Sequence, residues 1–406
     1  MEIEARKPLE GLRVIELANY VAAPVCGRML SDMGAEVIKI ESFGGDPWRT
    51  VAQANIYSDE TENPIFDIYN AGKKSICLNI KTEGGRHILD GLLRDADIFL
   101  TNTRAGSLKK LGLDYDSLKE LNPRLIYASM NGFGEKGAEA SAPGFDNVAF
   151  WTRSGFLLDM SVQSEQSYPV LSPTGSGDTV SGAMLFGGIM TALYQRTFTG
   201  RGDHVSTALY NNGIWMLASM ILQAQDAYGI KFPRTRAESS PLTSPYRCAD
   251  GEWICITVLD YARFRDVIFR ILGIEEEMKR FDLPTFAETK KNSREIIPIM
   301  EKAFLQKTSA EWLAELKAAD VVCSRMTHMS EVSKDPQAIA NNFVQEYHFR
   351  NGRSCMMPCP PIRLASQPDP LAESAPLAGE DTREVLLQAG YSEEEIAAFI
   401  RSGAVK

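Results

Sequence analysis

The sequence predicts an α/β protein: a Rossmann-like large domain on a parallel sheet, joined to a smaller α/β domain. Three observations lead there. Short apolar runs alternate with amphipathic stretches through the first 130 residues, and a small-residue segment apolar on nearly every side follows near 180. A Pro-, Ser-, Thr- and Arg-containing stretch over 228–246 then separates a second alternating region. Apolar strands separated by amphipathic helices indicate a parallel sheet covered by helices.

Each element has its own signal. Residues 13–17 read as a strand and 24–33 as a helix, with Pro24 suited to a first turn and Gly34 to a C-terminal cap. A strand over 36–40 follows, then a strand over 75–80, a helix over 82–93 and strands over 98–101 and 125–130. The segment 180–194 offers no polar face to water and predicts a helix buried on all sides. A further apolar helix is expected over 207–224. The second region predicts a strand over 253–258, helices over 261–272, 293–305 and 310–319, and a strand near 321–324. A proline-rich crossing (Pro358, Pro360, Pro361, Pro368, Pro370, Pro376) leads to a helix over 382–388, and Ser392-Glu-Glu-Glu395 is a capping box opening the last one. The expected boundaries are 1–225 for the first part of the large domain, 226–335 for the small domain, and 336–406 for the crossing and returning helices.

Composition excludes several classes. At 406 residues, with roughly 150 residues per domain, two or three domains are expected. The hydrophobic share of 44% and charged share of 24% rule out disorder and fibrous repeats. A net charge of −10 with no run of five basic residues argues against a nucleic-acid partner. No apolar leader or membrane-spanning stretch appears, so no membrane partner is expected. Seven cysteines, an odd number, fit reduced thiols in a cytoplasmic protein. Cys355 and Cys359 lack the second ligand pair a zinc site requires, so no metal is expected. An anionic ligand would therefore need locally placed cations or backbone N–H groups.

Four places carry candidate chemistry. Gly175-Ser-Gly-Asp-Thr179 stands just before the apolar helix. An aspartate there gains backbone N–H bonds and a favourable dipole and stays ionised, as a plain helix cap or as a nucleophile on an activated acyl group. The adjoining glycines can offer N–H donors to an oxyanion. Asn102-Thr-Arg-Ala-Gly-Ser107 follows a strand, where open α/β sheets bind ligands, and places Arg104, Lys109 and Lys110 near a helix start. Asn131-Gly-Phe-Gly-Glu-Lys-Gly137 is a lid or a turn, and spacing does not decide between them. His87, His204, His328 and His348 are isolated from one another and read as ordinary surface or core histidines. The dinucleotide fingerprint, the phosphate loop and the G-x-S-x-G elbow are all absent from the sequence.

Together the motifs resemble one family. Pro8-Leu-Glu-Gly-Leu-Arg-Val-Ile-Glu-Leu17, Ala23-Pro24, Gly34-Ala-Glu-Val-Ile-Lys-Ile-Glu41, Gly45-Asp-Pro47 and Asn70-Ala-Gly-Lys-Lys-Ser-Ile-Cys-Leu78 are similar to the opening of the family III CoA-transferases. So, in order, are Ala96–Asn102, Gly112-Leu-Asp-Tyr115, Asn122-Pro-Arg-Leu-Ile126, Gly200-Arg-Gly202, Gly379-Glu-Asp-Thr382 and the 386–390 segment. The resemblance implies an interlocked homodimer and coenzyme A or acyl-CoA as substrate, with no permanently bound cofactor. It implies Asp178 as nucleophile, passing through aspartyl anhydride and aspartyl-CoA thioester intermediates to a carboxylic acid acceptor. The CoA-contacting positions fall on Tyr20, Val21, Ala22, Ser42, Leu78, Lys81, Asn102, Thr103, Arg104 and Lys110. Those nearest the acyl group fall on Phe145, Gly175 and Gly177. Ser42 departs from the arginine of the formyl-CoA transferase branch, and 232–246 lacks that branch's glycine run, so another segment must shield the intermediate. Racemases of 2-methylacyl-CoA are similar at Gly144-Phe-Asp146 but carry a histidine base where this chain has Phe145, which cannot shuttle a proton. Pro143-Gly-Phe-Asp146 with Phe150-Trp-Thr-Arg-Ser-Gly155 resembles transferases of 2-hydroxyacyl or aryl-acyl substrates. A non-catalytic CoA-binding protein of the same fold is the remaining alternative.

Overall fold

The computed structural model describes residues 6–56, 58–161, 169–233, 235–367 and 374–406, so Pro368 and Pro370 lie outside the described residues. The chain forms two units. The larger comprises Met1–Leu157, Leu171–Gln223 and Ser333–Lys406, and the smaller Leu158–Val170 and Ala224–Val332.

The larger unit is built on six parallel strands: β1 (Arg13–Leu17), β2 (Glu36–Glu41), β3 (Lys74–Cys77), β4 (Ile98–Thr101), β5 (Ile126–Asn131) and β6 (His204–Ala208). They lie in the order β3-β2-β1-β4-β5-β6. The order reverses between β1 and β4, and that switch point is where open α/β sheets leave a crevice at the strands' carboxyl ends. Successive side chains point to opposite faces, so each strand feeds two cores. Val14, Val37, Ile98, Leu100 and Ala128 pack with helices Ala22–Asp32 and Ser176–Thr199. Ile15, Ile38, Ile76, Phe99 and Tyr127 pack on the other face with helix Glu83–Arg94 and the C-terminal helices Thr382–Gln388 and Glu393–Arg401. The Ser392 capping box forms as its sequence predicts. The smaller unit holds an antiparallel sheet, with β7 (Thr243–Arg247), β8 (Trp253–Thr257) and β9 (Cys323–Arg325) in that order. Its helices Tyr261–Ile271, Ser293–Phe304 and Ser309–Ala318 share one core with it.

Two expectations change. The helix expected over 207–224 is instead the end of β6 followed by helices Leu209–Met216 and Ala218–Ala224. The branched side chains of Val205 and Thr207 favour the pleated surface, and β5 offers a free edge to pair with. The segment expected to be buried on all sides extends over Ser176–Thr199 and is buried on one side only. Leu185, Phe186, Ile189 and Ala192 enter the core, whereas Tyr194 (72% exposed) and Phe198 (68%) face out. Trp215 on helix Leu209–Met216 is likewise 71% exposed, and Tyr194 and Phe198 meet edge to face at 5.4 Å.

Beneath the end of β1 lies a cluster of four buried charges. Lys39 Nζ sits 3.0 Å from Glu16 Oε1 and 2.9 Å from Asp46 Oδ2, and Lys73 Nζ sits 2.8 Å from Glu16 Oε2. The lysines also donate to carbonyls, Lys39 to Ala18 O at 2.8 Å and Lys73 to Pro24 O at 2.9 Å. Burial opposes charge on Lys39, but Glu16 and Asp46 outweigh it and hold the ammonium above its ordinary pKa. Gly27 supplies the space: a Cβ there would stand 1.9 Å from Glu16 Oε2. Removing one member of a buried pair strands its partner, typically at about 3–5 kcal/mol. Lys39→Met is therefore expected to move the urea unfolding midpoint down by an equivalent of about 3–5 kcal/mol. An unchanged midpoint would contradict the role given to the cluster.

Candidate active site

The charged cluster fixes the first crossover loop. Asp46 Oδ1 accepts from Tyr20 N–H at 3.1 Å and Trp48 N–H at 2.9 Å, holding Tyr20 in the left-handed region at φ 65°. From the next strand, Asn102 clasps the loop twice, with Oδ1 accepting from Asn19 N–H at 3.0 Å and Nδ2 donating to Asn19 O at 2.7 Å. The N-terminus of helix Ala22–Asp32 is thereby fixed at the sheet's carboxyl edge. Its first N–H groups have no partner within the helix, which makes such an end receptive to negative charge.

A cleft of about 1210 Å³ opens at this edge, lined among others by Tyr20, Ala22, Asn102, Thr103, Arg104, Phe145 and Asp178. Those seven expected residues come together there. Val21 and Leu78 are buried in the two cores, so their side chains are not available to a ligand. The Leu78 backbone also bonds Glu41 O and bridges to Val405. Ser42 and Lys81 are exposed beyond β2 and β3, on the same carboxyl edge but outside the cleft lining. Arg104 caps the short helix Ala105–Lys110, so Lys109 and Lys110 stand in its last turn and not at a helix start. None of Arg104, Lys109 and Lys110 makes an ion pair among the described residues.

Asp178 departs from its expected environment. Gly175, at φ 76°, is the N-cap of helix Ser176–Thr199, which places Asp178 inside the first turn. The helix-end N–H groups go to another carboxylate, that of Asp146. Its Oδ2 accepts from Gly175 N–H at 2.8 Å, and the N–H groups of Gly177 and Asp178 face the same side chain. Gly177 is required by this contact, because a Cβ would meet Asp146 Oδ1 at 2.2 Å. Asp178 accepts no hydrogen bond among the described residues. Burial, with the like charge of Asp146 added, pushes its pKa up to about 7. The sequence led us to expect an aspartate kept ionised by the helix end, but desolvation and a second carboxylate prevail.

Asp146 arrives on a π-helical turn, Asp146–Thr152, anchored by buried Phe150 and Trp151. Phe145, just before it, is 57% exposed and meets Tyr20 edge to face at 5.2 Å. The 131–137 segment also lines the cleft through Asn131, Gly132 and Glu135. His204 is neither a plain surface nor a core residue. It lines the cleft, with Nε2 2.9 Å from Ser129 Oγ and 3.4 Å from Glu135 Oε1. Sequence reasoning missed the helix-capping role of Asp146, the placement of His204, and Tyr69, whose hydroxyl reaches the Ser176–Thr199 helix end. These residues are distant in the chain and share no spacing signal. Among the described residues no group of three or more His, Cys, Asp or Glu could hold a metal ion, and no helix is long and apolar enough to cross a membrane.

A Rossmann-like sheet with an unpartnered carboxylate in the cleft at its switch point defines an α/β protein equipped for chemistry on a bound ligand. Residues 9–382 match the model of CoA-transferase family III, and the chain belongs to that family. It is 34% identical over 400 residues to the (R)-2-hydroxy-4-methylpentanoate CoA-transferase of Clostridioides difficile, covering 98% of this chain and 99% of that one. It is 36% identical over 392 residues to the cinnamoyl-CoA:phenyllactate CoA-transferase of Clostridium sporogenes, covering 95% and 94%. The solved structure of Rv3272 from Mycobacterium tuberculosis superposes with a TM-score of 0.80 at 27% identity, covering 93% of this chain and 98% of that one.

The raised Asp178 pKa has a consequence for stability. Between the ordinary value of 3.8 and about 7, the unfolded chain releases this proton while the folded chain retains it. The folded state therefore loses stability as pH rises through that window. Asp178→Asn removes the liability, so its thermal midpoint is expected to match wild type near pH 4 and to exceed it increasingly up to pH 7. Equal midpoints at pH 7 would show that the carboxylate is not strained.

Proposed function

We propose that the protein transfers coenzyme A from an acyl-CoA to a carboxylic acid, with Asp178 as nucleophile. The observation that carries this reading is the Asp178 carboxylate itself: it lines the cleft, accepts no hydrogen bond among the described residues, and has its pKa pushed up to about 7. Such a group is half ionised near neutrality, and it is more nucleophilic than a solvated or hydrogen-bonded carboxylate. Its oxygen attacks the thioester carbonyl, the C–S bond breaks, and CoA leaves as thiolate from a mixed anhydride. The thiolate attacks the aspartyl carbonyl, releasing the donor acid and forming an aspartyl-CoA thioester. An acceptor carboxylate displaces CoA again to give a second anhydride, and the thiolate then takes the acceptor's acyl group and frees Asp178. Carboxylate exchange supplies the activation, so no metal and no resident cofactor is needed.

The CoA thiol end belongs in this reading at Tyr20, Ala22, Asn102 and Thr103, with Arg104 and Lys110 serving the phosphates. Val21 and Leu78 would contribute backbone only, while Ser42 and Lys81 lie farther along the edge. We assign the acyl group to the aromatic wall of Phe145 and Tyr20, beside Gly175 and Gly177. That wall, and the relatives' 2-hydroxy and aryl acids, favour a 2-hydroxy or aryl carboxylate as acceptor. Phenylalanine at 145 offers no proton-transfer base, which argues against racemase chemistry.

The reading includes a homodimer. A second copy is what we assign to cover the exposed aromatic side chains Tyr194, Phe198 and Trp215, since large exposed apolar groups mark interfaces. Light scattering is expected to give a dimer mass, and Tyr194→Glu combined with Trp215→Glu to give monomer. A monomeric wild type would remove this part. For the activity, an acyl-CoA donor is assayed against a panel of carboxylates with mass detection. Asp178→Ala is expected to stay folded and lose transfer by at least about 10³-fold. Wild-type rates in that variant would refute the assignment.

A further inference from the structure

The Asp178 carboxylate has a neighbour that the reaction as written does not use. Tyr69 lies on helix Pro64–Asn70, whose N-cap Asn63 accepts from Phe66 N–H and whose Phe66 is fully buried. At its other end, Asn70 Oδ1 accepts from Lys73 Nζ at 3.0 Å, tying the helix to the buried charged cluster. Tyr69 is thus on a rigid element, and its ring packs against the core that also holds Val21 and Phe150. Its hydroxyl stands at the end of the helix bearing Asp178. It lies 3.5 Å from where a Cβ of Gly175 would be and faces the hydroxyl of Thr179. Thr179 Oγ1 in turn donates to Gly175 O at 2.9 Å.

An acyl transfer needs a hydrogen-bond donor where the carbonyl oxygen becomes an oxyanion. The helix-end N–H groups are directed at Asp146, so the first turn has no backbone donor to spare on that side. We propose that the Tyr69 hydroxyl is the donor to the oxyanion formed when Asp178 becomes acylated and deacylated. As the Asp178 oxygen bonds to the thioester carbon, the carbonyl π pair moves onto its oxygen, which accepts the phenolic hydrogen bond without proton transfer. The pair returns as the C–S bond breaks, and CoA departs as thiolate. Burial, reinforced by the negative charges of Asp178 and Asp146, keeps the phenol protonated well beyond neutral pH, as a standing donor requires.

This inference rests on Asp178 being the nucleophile, and the test separates the two. Tyr69→Phe keeps the ring and removes only the donor. With full-length enzyme, an acyl-CoA donor and a competent acid, kcat is expected to fall about 10²-fold, with donor KM and thermal midpoint unchanged. Wild-type kcat in Tyr69→Phe alongside an inactive Asp178→Ala would overturn the Tyr69 role and leave the nucleophile standing. An active Asp178→Ala would overturn both. If Tyr69→Phe fails to fold, 3,5-difluorotyrosine at position 69 replaces it, because its phenol ionises at lower pH and then cannot donate. The alkaline limb of kcat is then expected to move down in pH, and an unmoved limb would overturn the proposal.

Discussion

The buried quartet of Glu16, Lys39, Asp46 and Lys73 is the constraint on which the rest of the larger unit depends. Two carboxylates and two ammonium groups leave water together, and each pair's attraction offsets desolvation only because the geometry is close and the remaining donors meet Ala18 and Pro24 carbonyls. The quartet draws on β1, β2, the loop after β2 and the residue before β3, so it ties three neighbouring strands together. Asp46 then reaches Tyr20, and Lys73 reaches Asn70. The loop bearing Tyr20, which lines the cleft, and the helix bearing Tyr69 are therefore both tied to one charged core. In a chain with a net charge of −10, the positive potential open to an anion is local: helix ends and a few cations on one edge of the sheet.

A second constraint is the competition between two carboxylates for one helix end. Asp146 takes the N–H groups at the start of Ser176–Thr199, and Gly177 is glycine so that it can. Asp178 is left beside it, desolvated and repelled. The usual gain from a helix N-terminus goes to the carboxylate that does not face the cleft, while the one that does is raised in energy. Strain of this kind at a carboxylate is held by the surrounding fold, here the aromatic anchor of Phe150 and Trp151.

Much of this architecture was legible from residue pattern. The strands at 13–17, 36–40 and 98–101 announce themselves by apolar runs, and the last helix by the pairing of Ser392 with Glu395. β6 did not, because its five residues merge with the apolar helix that follows and only pairing to β5 distinguishes them. Motif order points to Asp178, but its raised pKa has no sequence signal, because burial in the fold and the carboxylate of Asp146, distant in the chain, set it. Tyr69 and His204 are invisible for the same reason: a single aromatic or histidine carries no periodicity, and only the fold brings His204 to the cleft and Tyr69 to the nearby helix end. The segment 180–194 reads as buried on all sides because it lacks a polar face, and in a single chain this holds for one face.

The account's central claim is that Asp178 becomes acylated, and trapping tests it most directly. The enzyme is incubated with an acyl-CoA donor and hydroxylamine, which intercepts an activated aspartyl carbonyl, and is then digested and mapped by mass spectrometry. The expected result is a hydroxamate at Asp178, formed only when donor is present and absent from Asp178→Ala. Turnover with Asp178 unmodified, or a hydroxamate on another carboxylate such as Asp146, would contradict it.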